Sequence, residues 1–154
     1  MNRTIIAALA ALTATLTGPG FAMAGSQDVV VEDAWARASI GTSRPGAAYL
    51  TIRNAGEETV ALTGLATPAA ASAEVHRTTI DERGVSSMVP ADEIVVGPGE
   101  SVALEPGGLH AMLMGLKAPL SEGGSFPLTL TFSDGGEMTV AVPVLAIAAR
   151  GPET

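Results

Sequence analysis

Cysteine is absent from all 154 residues. That absence excludes disulfides, thiolate metal sites, cysteine nucleophiles and lipid attachment through a cysteine. Aromatics are scarce: Trp35, Tyr49, Phe21, Phe126 and Phe132 are all of them. Basic residues number 8 against 16 acidic ones, a net charge of −8. A nucleic-acid surface needs a basic footprint, so no nucleic-acid partner is expected. Histidine occurs twice and methionine six times. The length fits one domain.

The N-terminal apolar run, Ile5 to Leu16, is also short. It has 12 residues, against roughly 20 for a membrane-spanning helix. Arg3 precedes it, Gly18-Pro19-Gly20 break it, and Ala22-Met23-Ala24 follows as an A-x-A cleavage site. Residues 1–24 therefore read as a signal peptide cleaved after Ala24, with no stable membrane insertion. Arg3 leaves with the signal, so the net charge moves from −8 to −9. Residues 25–150 read as one domain and residues 151–154 as a frayed tail.

The remainder reads as strands and turns. Candidate strands are Val29–Ala38, Ala47–Arg53, Thr59–Thr67, Ala73–Ile80, Val85–Val89, Ile94–Val96, Ser101–Leu104, Leu109–Leu116, Phe126–Ser133 and Met138–Ile147. Gly, Pro, Asn and Asp clusters separate them at roughly ten-residue intervals, as in an all-β antiparallel sandwich or barrel. Leu128, Leu130 and Phe132 alternate with Thr129, Thr131 and Ser133, so one face points inward. A short helical piece is expected only at Pro68 to Ala73.

The candidate chemistry lies in histidine and methionine. His110-Ala111-Met112 places His-x-Met on a strand, and residues i and i+2 share a face about 7 Å apart. Met114 continues that face by alternation. His76 and Met88 lie on two strands joined by Asp81-Glu82-Arg83-Gly84. A plain four-residue loop would set Met88 opposite Arg77 and turn it away from His76. A shared face therefore requires a bulge or an odd-length loop at Glu82 to Gly84. Thioether sulfur is soft and uncharged, which suits Cu(I) and not Zn²⁺, Mg²⁺ or Ca²⁺. Equally, a lone strand methionine is more often core filler than a ligand. The residues alone leave both readings open.

The spacing is more specific. His76 and Arg77 are followed by ten residues, Met88, 21 residues, and then His110-Ala111-Met112. This pattern resembles the periplasmic copper chaperones of the PCu(A)C type. Asp33-Ala34-Trp35-Ala36-Arg37, Ala47-Ala48-Tyr49-Leu50, Pro106-Gly107-Gly108-Leu109-His110, Met112-Leu113-Met114-Gly115-Leu116-Lys117 and Pro127-Leu128-Thr129-Leu130-Thr131-Phe132 also resemble that family. The match spans about residues 28–146.

The resemblance implies a cupredoxin-like antiparallel β-sandwich of Greek-key type. It implies Cu(I) held by His76, Met88, His110 and Met112, and a chaperone rather than an enzyme. It implies a periplasmic location and delivery to the copper subunit of respiratory cytochrome oxidase, alongside Sco-type thiol proteins. Two departures matter. Arg77 stands where some members carry methionine, and no His/Met-rich extension follows Met138. No second copper site is therefore expected at the C-terminal end. The other function class is a secreted β-sandwich adhesion or scaffold domain without metal. An electron-transfer cupredoxin would need a copper-bound cysteine, and a G-x-S-x-G hydrolase elbow is absent from the sequence.

Overall fold

The computed structural model describes residues 25–152. The proposed signal peptide and the last two residues of the tail lie outside them. Among the described residues one 3₁₀ turn, Ser26–Asp28, precedes ten strands. They are β1 Val29–Arg37, β2 Gly46–Asn54, β3 Val60–Ala66, β4 Ala70–Ile80, β5 Ser86–Pro90, β6 Ile94–Val96, β7 Ser101–Leu104, β8 Leu109–Leu116, β9 Ser125–Phe132 and β10 Glu137–Leu145. The turn chemistry set these spans closely. The main shift is β4, which starts at Ala70 rather than Ala73. Pro68 and Ala69 form a turn that feeds it directly, so the expected helical piece at Pro68–Ala73 is not formed.

Strands β4-β8-β2-β1-β10-β9-β3 pair in that order, and β3 returns to β4 through Leu65 and Ala73. The sheet thus closes on itself as a flattened barrel. Strand β5 pairs with β4, β6 with β3, and β7 with β2. Every pairing is antiparallel except β1 with β10, where Ala36 and Arg37 meet Val144 and Leu145 in parallel. Closure removes most free edges, which antiparallel folds must otherwise protect.

One apolar cluster fills the interior. Leu50, Ile52, Leu62, Leu113, Leu128, Leu130, Phe132 and Val142 are among its most buried members. Leu128, Leu130 and Phe132 all point inward, as their alternation with threonine and serine requires. A row of small side chains, Ala36, Ala48 and Ala111, continues to Val75 across β1, β2, β8 and β4. This row forms the inner surface of the four strands that carry the site on their other face.

One buried polar residue holds the barrel end together. Asn54 is fully buried. Its Nδ2 donates to the carbonyls of Glu58 and Val96, and its Oδ1 accepts from the Gly56 amide. These bonds tie the loop after β2 and the end of β6 to the end of β2. Among the described residues, no helix is long and apolar enough to cross a membrane.

Candidate metal centre

Backbone register brings the four predicted residues onto one face. Strands β4 and β8 pair so that His76 lies opposite His110 and Glu74 opposite Met112. Strands β4 and β5 pair so that Thr78 lies opposite Met88. Thr78 and His76 share a face by strand alternation, so Met88 joins the two histidines there. Met114 lies opposite Ser72 on the same face, one step beyond Met112.

The turn between β4 and β5 makes this possible. Asp81 pairs with Val85, which leaves a three-residue loop, Glu82-Arg83-Gly84. Gly84 has φ +77°, a conformation that costs other residues about 1–2 kcal/mol. The loop is odd in length, as a shared face demands. The Asp81 carboxylate accepts the amides of Arg83 and Val85 and braces the turn.

The two imidazoles are the centre of the arrangement. Their centroids are 6.2 Å apart with planes inclined by 29°. Imidazole nitrogen binds a d¹⁰ ion at about 2 Å and lies about 1 Å from its ring centre, so two rings on one ion have centroids at most roughly 6 Å apart. The observed pair sits at that limit. Both side chains are buried, at 7% and 5% exposure, although strand alternation would leave this face open. Their neighbours on the opposite face, Val75 and Ala111, are buried as well.

Buried polar atoms in native proteins nearly always have a partner. Here His76 Nδ1 and His110 Nε2 have none. At His110 the other nitrogen, Nδ1, lies 3.4 Å from the Gly108 carbonyl. A carbonyl only accepts, so Nδ1 carries the proton and Nε2 presents its lone pair. That is how a backbone carbonyl orients a metal-ligating histidine. Burial lowers the His110 pKa below its ordinary 6.5; the Gly108 bond opposes this, and charge on His76 adds to it. His110 is therefore neutral at neutral pH and able to ligate. Among the described residues, no group of three or more His, Cys, Asp or Glu side chains could hold a metal. The donor set on offer is imidazole and thioether, which selects soft ions.

Met88 is 54% exposed, whereas Met112 is half-buried. Both border a surface cavity of about 520 Å³ whose walls also include His110, Tyr49, Arg37 and Arg44. The metal-ligand pattern in the sequence did not mark the last three. A bulge in β1 explains the position of Arg37. Register with β2 shifts between Glu32 and Trp35, with Asp33 at φ +52°. The extra residue turns Ala36 to the core and sets Trp35 and Arg37 on the site face, with Trp35 opposite Tyr49. The Trp35 and Tyr49 rings lie 4.5 Å apart, and the Arg37 guanidinium stands 5.9 and 5.6 Å from them. Burial raises the Tyr49 pKa and Arg37 partly opposes that, so the phenol is neutral.

Residues 29–144 match the profile of a family described as "Putative lipoprotein LpqE-like". A lipoprotein of Leifsonia xyli subsp. xyli, described as "Putative lipoprotein Lxx21020", is 39% identical over 134 residues, covering 86% of this chain and 77% of that one. The solution structure of CuI-DR1885 from Deinococcus radiodurans is 35% identical, with a TM-score of 0.55, and covers 80% of this chain and 83% of that one. The copper-bound PCuAC domain from PmoF2 has a TM-score of 0.64 at 24% identity, covering 77% of this chain and 93% of that one. The all-β fold is the cupredoxin-like fold of those domains.

Proposed function

We propose that this chain, which belongs to the LpqE-like family and is of the PCuAC type, is an exported copper chaperone without enzymatic activity. Cu(I) is its cargo, and His76, Met88, His110 and Met112 hold it. The observation that carries this reading is the pair of buried, unpartnered imidazole nitrogens on facing strands. The copper named for CuI-DR1885 and for the PmoF2 domain supports it. Nothing favours the metal-free scaffold reading.

Four neutral ligands leave the bound ion its full positive charge, and none of them is a thiol that oxidation could remove. Thiolates bind Cu(I) more strongly than thioethers do. Transfer to a thiol-bearing acceptor therefore runs by ligand exchange, with each incoming thiol releasing its proton to solvent. Met88 is the most exposed of the four ligands and sits on a strand paired on one side only. It is the ligand an acceptor displaces first. The final acceptor is the copper subunit of a respiratory cytochrome oxidase, reached directly or through a Sco-type thiol protein.

Export follows from the reading of residues 1–24 as a signal cleaved after Ala24, and the lipoprotein name of the Leifsonia relative supports it. These 154 residues hold no cysteine, and the domain is placed in the periplasm. The test is an anaerobic Cu(I) titration against a competing chelator. One equivalent binds the wild type tightly, and His110→Ala does not retain it. Retained stoichiometric affinity in that variant would remove His110 from the site.

A further inference from the structure

The cavity beside the proposed copper ligands has a charge opposite to that of the whole chain. The protein carries twice as many acidic as basic residues. Yet among the described residues the only charged side chains lining this cavity are Arg37 and Arg44. Neither has a carboxylate partner among the described residues, where the ion pairs are Arg53 with Glu32 and Arg83 with Asp81. Arg37 is also fixed in place. Its Nε donates to the Ala149 carbonyl at 2.8 Å, and its guanidinium lies against Trp35 and Tyr49. The two terminal nitrogens remain to face a ligand. Such a held fork is pre-organised for a carboxylate.

Cationic walls do not help to hold a cation. They repel Cu(I) and lower its affinity slightly, so metal retention does not account for them. An incoming anion does. We propose that Arg37 and Arg44 form a docking site for an acidic segment of the protein that exchanges copper with this one. This inference rests on the copper reading and names the chemistry of its partner. The neutral donor set gives it a direction. With Cu(I) bound, the cavity carries three positive charges; once the ion has left, it carries two. The loaded form therefore attracts an acidic acceptor more strongly than the empty form, which favours release after transfer. A protein fits the rim better than a small anion does. Met88 and Ile80 are exposed on the same face, and Ile40 is exposed in the loop that carries Arg44. Apolar side chains interspersed with arginine are characteristic of protein interfaces.

The probe is a synthetic peptide with a Cys-x-x-x-Cys centre flanked by glutamates, compared with the same peptide flanked by lysines. At low salt the acidic peptide should take Cu(I) from the loaded wild type about tenfold faster, the lower end of electrostatic steering. Arg44→Glu should erase that advantage, as should salt that shortens the Debye length to about 3 Å. Arg44 is exposed and makes no side-chain hydrogen bond among the described residues, so Arg44→Glu should keep the wild-type fold and bind Cu(I) as tightly as wild type or slightly more so. Equal rates for the two peptides, or an unchanged preference in Arg44→Glu, would overturn the proposal.

A second arm needs no copper. The acidic peptide with serines in place of its cysteines is titrated into the copper-free protein and followed by amide NMR. Shifts near residues 44–49 and 106–110 that vanish in Arg44→Glu support docking. Absence of those shifts, or the same shifts at the same concentration of citrate, overturns it. Failure of copper binding would leave this arm readable, so the two readings fail separately.

Discussion

Among the described residues, Asn54, His76 and His110 are the buried polar side chains, and the amide and the imidazole pair are treated in opposite ways. Asn54 satisfies both ends of its amide on backbone groups of the loop that follows it and of β6. The two histidines each keep a nitrogen without a partner. Burying a polar atom unpaired costs about 1–3 kcal/mol. The fold meets that cost twice, 6.2 Å apart, on one face of adjacent strands. Polar groups that serve structure are satisfied at once. Those that await a ligand are left ready for it.

Substitutions should separate the two regions, and the largest effect belongs to the histidines. His76→Ala and His110→Ala should each weaken Cu(I) more than about 100-fold, since loss of even an outer partner of a ligand costs 10- to 100-fold. Chelator competition measures this. His76→Leu should lose copper equally while unfolding at the same denaturant concentration or higher, because it removes an orphaned nitrogen and keeps the volume. Asn54→Ala should do the reverse. It should lose about 2–3 kcal/mol of stability in urea, because three backbone groups lose their partner, and keep the Cu(I) affinity of wild type. A copper defect in Asn54→Ala equal to that of His110→Ala would collapse the distinction.

Loop parity gives a sharper and smaller effect. Deleting Gly84 makes the β4–β5 loop even and turns Met88 to the opposite face. Its Cu(I) affinity should fall to that of Met88→Ala, about tenfold below wild type on the scale of a lost outer partner. Wild-type affinity in the deletion would show that Met88 is not a ligand.

The smallest effect is that of pH. The folded state holds the His110 pKa below its ordinary 6.5, so the unfolded chain binds more protons between the two values. Stability of the copper-free protein is therefore fully present above about pH 6.5 and declines as pH falls through the lowered pKa. Cu(I) affinity should follow, flat from pH 8 to about 6.5 and falling below it as protons compete for imidazole. Affinity unchanged down to pH 5 would argue for thioether ligation alone.

Much of this site was legible in the sequence because strand geometry is periodic. His110-x-Met112 shares a face by alternation, and a face shared by His76 and Met88 required an odd loop or a bulge at Glu82 to Gly84. Glycine and proline at the turns placed most strand ends. Three features escaped for physical reasons. The bulge at Asp33 depends on a left-handed conformation that no local residue announces, so the facing of Trp35 and Arg37 could not be read. Burial of both faces at Val75–His76 and His110–Ala111 comes from distant segments. The parallel pairing of β1 with β10 joins the two ends of the domain and leaves no local trace. The cationic cavity follows from the first of these.

A Cu(I) site of two imidazoles and two thioethers has its own spectroscopic signature. The most direct measurement is X-ray absorption at the copper edge on protein loaded anaerobically with one equivalent. The spectrum should show cuprous copper with two nitrogen and two sulfur neighbours, and Met88→Ala should lose one sulfur. Copper with no sulfur neighbour would rule out the thioether ligands.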